Sequence, residues 1–286
     1  MDDRTFRLLD FTSVLEHLGE YALSEAGRLR CLRLRPFVDR EELTHQAQMV
    51  AEALCSADRI LGCLGFFPDI EGVFEVAGTE APLDEDGLWG VGQVLQQTKQ
   101  AQSALSGIDS RELPLLGGYC ESVPWPEKTW QGIRRCLDSD GELRDESSPE
   151  LMRVRTELRR LQGQCTKKVG EFLERKDVAG YLQNDYLTIS SDRYVLAVKS
   201  NFKGRLSGII HDYSQTGETC YFEPIFLVEL NNKLQELKQQ EREAKRQVLI
   251  YLTSLVRQEE DKLRRLYDWL VHLDLIRAKV GMARDM

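Results

Sequence analysis

The chain has 286 residues, 42% of them hydrophobic and 30% charged, and a formal net charge of −9. This length allows one large or two modest domains, and the longest apolar run, Ile60 to Phe67, is far short of the roughly 20 residues of a membrane span. The acidic start, "MDDRTFRLLD", has no apolar signal core, so a cytoplasmic location without membrane contact is expected. The first 140 residues read as short helices. "SVLEHLGEYAL" follows Thr12 or Ser13 as cap, Ser24 can cap "EAGRLRCLRL", and Asp39 precedes a longer helix, "REELTHQAQMVAEALCSADRI". Further helices are expected from Leu88 to Leu105 and from Glu127 to Leu137.

The polar connector from Asp138 to Glu150 ends in Ser148 and Pro149, a cap followed by a first-turn proline. Leu151, Val154, Leu158, Leu161 and Cys165 then recur at spacings of three and four, a heptad seam. A second seam begins at Leu227, Leu230, Leu234 and Leu237 and runs through Ala244, Val248, Tyr251 and Leu255, with Glu241 as a polar intrusion. It resumes out of phase at Leu263, Leu266, Leu270 and Leu273, and neither Gly nor Pro occurs from Ile225 to Val280. The expected architecture is mainly α: an N-terminal helical domain and two antiparallel, coiled-coil-like arms, the second returning to the N-terminal helices.

Between the arms the period changes from 3.6 to 2. "YLTIS", "RYVLAVKS", "RLSGIIHDY" and "ETCYFE" are rich in β-formers, with turns at Ser190–Asp192, Asn201–Gly204 and Ser214–Gly217. A small antiparallel β-meander is expected, inserted at the far end of the helical arms. Pro224 suits the first turn of the helix that follows, and Glu223 before it is biased to extended backbone. Asn231 and Asn232, poor helix formers one turn into a long helix, suggest a hydrogen-bonding role at the joint between sheet and helix.

The sequence holds few signs of catalysis. Seven cysteines lack a Cys-x-x-Cys pair and four histidines lack a His-x-x-x-His pair, so neither a disulfide framework nor a local metal site is expected. No Gly-Lys dipeptide occurs, which excludes a Walker A loop. "GIIHDYSQTGETCYFEP" gathers His211, Asp212 and Cys220. An enzyme using them is one reading, but His211 and Asp212 would point to opposite faces of a strand, and turn or contact roles are the other. The net charge argues against a broadly basic nucleic-acid binder. Locally, from Tyr186 to Gly217, Arg193, Lys199, Lys203 and Arg205 stand against Asp192 and Asp212, a net of +2. With His211 these cations are the candidates for non-specific phosphate contacts. A protein-binding scaffold without nucleic-acid contact is the remaining alternative.

"CLDSDGELRDESSPELMRVR", "LQNDYLTISSDRYVLAVKSNFKGRLSGIIHDYSQTGETCYFEP" and "VELNNKLQEL" together resemble the type-two bacterial paralogues of the mismatch-repair protein MutS. "RTFRLLDFTSVL", "SEAGRLRCLRLRP" and "LDLIRAKVGMARDM" are similar to the same family. The resemblance covers essentially the whole chain and implies a helical core at 1–147, an ascending lever helix at 148–179, a β clamp at 180–224 and a descending lever helix at 225–286. It also implies that the chain is a fragment. In the family an ATPase, which takes ATP and Mg and drives dimerisation, follows near Met286, and a nuclease domain usually follows that. The implied role for this part is non-catalytic: binding branched or structured DNA and suppressing recombination, or engaging stalled or collided ribosomes. Two departures stand out. "YFEP" occupies a place where a more aliphatic strand is common, and "SSDR" one where "RNGR" is usual, which removes a cation and adds Asp192.

Overall fold

The computed structural model describes residues 8–108, 111–121, 123–175, 178–184 and 186–286. The fold is mainly α with one small four-stranded antiparallel sheet. It divides into two units, the first from residues up to 143 together with 249–286, the second from 144–248.

The first unit contains α1 (Phe11–Glu20), α2 (Glu25–Leu32), α3 (Arg40–Cys55), α4 (Ala57–Gly62), α5 (Glu71–Ala77), α6 (Glu85–Leu105), α7 (Pro114–Glu121), α8 (Glu127–Cys136) and α11 (Glu260–Asp285). Side-chain caps set several of the starts: Ser24 Oγ accepts from Gly27 N, Asp39 from Glu42 N, and Asp84 from Gly87 N. The single helix expected after Asp39 is two, because Ser56 leaves helical geometry at φ −117° and ψ 31°. Along α11, Leu263, Leu266, Leu270, Leu273, Ile276 and Val280 are buried.

Three buried carboxylates in this unit close helix starts from outside the helix. Asp274 accepts from Leu23 N, Ser24 N and Ser24 Oγ ahead of α2. Glu52 accepts from Leu115 N and Leu116 N in the first turn of α7. Glu259 accepts from Thr129 N and Oγ1 in the first turn of α8, where Pro126 at the cap position supplies no side-chain bond. The orphan N–H groups of a helix start are natural partners for a negative group. The same Glu259 breaks the long C-terminal helix. Its backbone stands at φ −116° and ψ 19°, separating α10 (Ile225–Gln258) from α11. The uninterrupted rod suggested by the Gly- and Pro-free run is therefore two helices, and the break falls at the residue whose side chain is recruited to α8.

In the second unit, α9 (Pro149–Leu173) starts at Ser148, whose Oγ accepts from Leu151 N. Its partner is the first part of α10. Arg153 contacts Gln240 and Arg155 contacts Glu241, while Glu157 feels Lys233, so the two run antiparallel. The seam residues Leu151, Val154, Leu158, Leu161, Cys165 and Val169 are all buried. On α10, Leu227, Leu234, Leu237, Ala244 and Val248 are buried, but Tyr251 is exposed, and Leu252 is buried instead. The Glu241 intrusion meets Arg155, which also binds Asp145.

The sheet consists of β1 (Thr188–Ser190), β2 (Arg193–Lys199), β3 (Gly208–Tyr213) and β4 (Thr219–Pro224) in the order β1-β2-β4-β3. It is not a meander. The 3-10 segment Ser200–Arg205 carries the chain past the slot beside β2, and β4 fills that slot. Burial accounts for the choice: Cys220, Phe222, Glu223 and Pro224 of β4 are buried, whereas most of β3 is exposed. Leu196, Val198, Cys220 and Phe222 share one core with Leu158, Cys165, Leu227 and Leu234. Pro224 closes β4 opposite Gly208, one residue before the helix turn expected for it.

Candidate nucleic-acid interface

The register of β2 and β4 ends at Leu196 opposite Phe222. Two residues further on, Tyr194 would face Pro224, which has no N–H to donate, and the chain turns into α10. Asn231 takes the vacant place. Its Oδ1 accepts from Tyr194 N at 2.9 Å and its Nδ2 donates to Tyr194 O at 2.9 Å. The side-chain amide thus does for β2 what a further strand residue would have done. Asn231 is buried, which explains an asparagine in a helix where propensity disfavours it.

The same Nδ2 donates to Glu223 Oε1 at 2.6 Å. Glu223 is wholly buried on β4 and also accepts from Arg193, through Nε at 3.0 Å and Nη2 at 2.9 Å. His211 Nε2 donates to its other oxygen. His211 reaches Glu223 because the register of β3 slips between Ile210 and Asp212. The bulge sets His211 and Asp212 together opposite Tyr221, in place of the opposite-face placement expected of a regular strand. Burial alone would raise the Glu223 carboxyl. The hydrogen bonds from Arg193, Asn231 and His211, with the Arg193 charge, outweigh it and hold the group below the usual range. Arg193 Nη2 donates on to Asn232 Oδ1 at 2.6 Å.

The residues singled out in sequence therefore fall into two groups. Arg193, His211, Glu223, Asn231 and Asn232 form one network, with Pro224 at its strand end. Arg193 and His211 keep only 20% and 21% of their side-chain surface. Lys199 lies half-buried, its Nζ 3.5 Å from Gly180 O. Arg205 is exposed and has no partner among the described residues. The Lys203 side chain lies outside the described ones. Cys220 is fully buried in the core.

Gln235 and Lys238 belong to the site and were not expected there. Gln235 Nε2 donates to Asp192 O at 2.6 Å, and Lys238 Nζ lies 3.2 Å from Asp192 Oδ1. They brace the β1–β2 turn, in which Ser191 and Asp192 both adopt positive φ, 49° and 64°. Such a turn favours Asn-Gly, so "SSDR" holds it at a cost that these contacts offset. Glutamine and lysine on the polar face of a long helix give no sequence signal of that task.

Charge divides sharply between the units. Residues 144–248 carry 18 Lys and Arg against 16 Asp and Glu, a net of +2, which leaves −11 for the rest of the chain's −9 total. Among the described residues no group of three or more His, Cys, Asp or Glu is placed to hold a metal ion, and no helix is long and apolar enough to cross a membrane. None of the seven cysteines is in a disulfide.

No family model matches the chain. It is similar to curated proteins named Endonuclease MutS2. That of Maridesulfovibrio salexigens is 45% identical over 284 residues, covering 99% of this chain and 37% of that protein. That of Solidesulfovibrio magneticus is 44% identical over 284 residues, 99% of this chain and 36% of that protein. That of a Geobacillus species is 31% identical over 290 residues, the whole of this chain and 37% of that protein. The chain thus spans little more than a third of the length of these relatives.

Proposed function

The chain belongs to the MutS2 family, and on that premise we propose that residues 144–248 engage nucleic acid, gripping branched or otherwise structured DNA and so restraining recombination. The observation that supports this reading most is the charge partition: a net of +2 on this unit within a chain of −9. Of the cations singled out around the sheet, Arg205 is exposed without a partner among the described residues and Lys199 reaches only a backbone carbonyl, and these two, with Lys203, are the candidates to meet a polyanion. Arg193 and His211 have a different task, since both are committed to Glu223.

The contacts would be to phosphates and would not read sequence. A net of +2 is small, so a single unit should bind weakly. Two units linked through self-association of the full-length protein would gain from effective concentration. The endonuclease activity in the relatives' name is said of proteins of which this chain matches about 37%. For residues 208–224 we assign contact and support in place of cleavage. Cys220 packs in the core, and His211 serves a buried carboxylate. ATP and Mg, which the family resemblance implied, have no Gly-Lys loop to hold them in this sequence.

The test is a salt titration of binding to a four-way DNA junction and to ribosomes, with wild type and a Lys199→Glu, Lys203→Glu, Arg205→Glu variant in the full-length protein. Removing one cation from the phosphate backbone should flatten the log-log salt slope by about 0.9 on duplex DNA, so the triple variant should bind more weakly with a slope flatter by up to about 2.7. Binding with an unchanged slope would place the interface elsewhere. A weakening confined to ribosomes would make ribosomal RNA the target.

A further inference from the structure

In the first unit, α2, α7 and α11 line a cleft of about 640 Å³. Its back wall is a rigid aromatic pair. Tyr119 and Trp269 stack with centroids 5.6 Å apart, Tyr119 O–H donates to Trp269 O at 2.6 Å, and Trp269 Nε1–H donates to Tyr119 O at 3.0 Å. His272 meets the Tyr119 ring edge-on at 5.2 Å. The polar atoms of the aromatic pair are thus spent on each other, and recognition falls to the groups at the mouth.

Two of those groups are cationic. Arg30 and Arg265 line the cleft with Asp268 and His272. Arg30 reaches Asp268 only at 3.7 Å, with both side chains largely in water. Arg265 has no hydrogen-bond or ion-pair partner among the described residues. His272 follows Arg265 by seven residues on α11, and Lys279 follows His272 by seven more. Burial, then the charges of Arg30 and Lys279, push the His272 imidazole down to about 4. It is therefore neutral at pH 7, with one N–H to donate, and among the described residues neither ring nitrogen has a hydrogen-bond partner. Arg30, Arg265 and Lys279 against Asp268 make a local excess of positive charge within a unit of net −11. A long polyanion would be repelled by that unit as a whole. A compact dianion would meet the cleft alone.

We propose that this cleft binds a phosphate group, free or as a small monoester, held between Arg30 and Arg265 with a His272 ring N–H as third donor. Guanidinium forks suit phosphate oxygens geometrically and electrostatically. Val123 and Pro124 complete the lining, and the phosphate, as the part of a ligand that the guanidinium groups recognise, carries the affinity. The inference is independent of the nucleic-acid reading of residues 144–248.

The experiment titrates the 286-residue chain with inorganic phosphate, AMP and adenosine, by calorimetry and by NMR of the histidine rings. Phosphate and AMP should bind within a few-fold of each other, with Kd about 1 mM or tighter from two charge-assisted contacts, and adenosine should not bind. Arg265→Gln, which removes an exposed group without a structural partner, should weaken phosphate about tenfold with an unchanged thermal midpoint. Bound phosphate should raise the His272 pKa from about 4, because an adjacent anion favours the imidazolium, and leave His17, His45 and His211 unmoved. Adenosine binding as well as AMP, an Arg265→Gln chain that binds phosphate like wild type, or a His272 titration indifferent to phosphate would each overturn the proposal.

Discussion

The two units satisfy buried carboxylates by different means. In the first, Glu52, Asp274 and Glu259 accept mainly from backbone N–H groups at helix starts. In the second, Glu223 accepts from the side chains of Arg193, His211 and Asn231. Backbone donors consume no cation, so the first unit keeps its anions buried while its net charge stays at −11. Side-chain donors do consume them. Of the cations that give residues 186–217 their basic look, Arg193 is already spent within the fold. A count of Lys and Arg in a stretch of sequence therefore overstates the positive surface left for a ligand, by as many as the buried acids claim.

The largest effect that would sharpen this contrast is expected at Glu223. Glu223→Gln keeps the shape but leaves Arg193 half-buried without its charge partner, and should cost about 2–4 kcal/mol in denaturant unfolding of the second unit. The pH dependence has a fixed sign. Glu223 is held below its ordinary value in the folded state. Its contribution is therefore complete above the unfolded value, near 4.3, and is lost as pH falls through the folded one. Wild type and Glu223→Gln should differ most at neutral pH and converge in acid. A gap that persists unchanged at low pH would mean that the charge on Glu223 is not what the network uses.

Glu259→Gln should cost less, about 1 kcal/mol, since a neutral amide oxygen still accepts from Thr129 N and Oγ1 and the Lys262 ammonium that loses its partner stays in contact with water. Glu259 too is held low, with the Thr129 backbone bond and Lys262 overcoming its burial. A destabilisation as large as that at Glu223 would erase the distinction between backbone and side-chain partners. Smaller still is the turn at Ser191–Asp192. Ser191→Asn with Asp192→Gly should relieve positive-φ strain and stabilise the unit by a few tenths of a kcal/mol. It also removes an anion and frees Lys238, so binding to a DNA junction should strengthen. Unfolding at a lower denaturant concentration would show that the turn depends on the Lys238–Asp192 pair.

Much of this was legible in the residues. The seam Leu151–Val154–Leu158–Leu161–Cys165 is buried as its spacing predicts, because a heptad fixes which face a helix hides. The four strands fall where period-2 alternation and turn residues placed them. Their order did not follow, because alternation names the face of a residue and not its neighbour strand. The bulge at His211, which brings that ring to Glu223, has no glycine or proline to announce it. The break at Glu259 was hidden for a similar reason. Glutamate is an ordinary helix former, and only the distant start of α8, at a proline cap without a side chain to offer, draws it out of line. Asn231 was conspicuous as a poor helix former, yet its partner, the β2 backbone at Tyr194, depends on where β4 runs out.

The division of cations into spent and free is tested most directly by one paired measurement. Arg193→Gln and Arg205→Gln should be compared in the same protein for thermal midpoint and for the salt slope of binding to a DNA junction. Arg205→Gln should flatten the slope by about 0.9 and leave the midpoint in place. Arg193→Gln should lower the midpoint and leave the slope as in wild type. The reverse outcome, a flattened slope with an unchanged midpoint for Arg193→Gln, would contradict the assignment of Arg193 to the Glu223 network and return it to the binding surface.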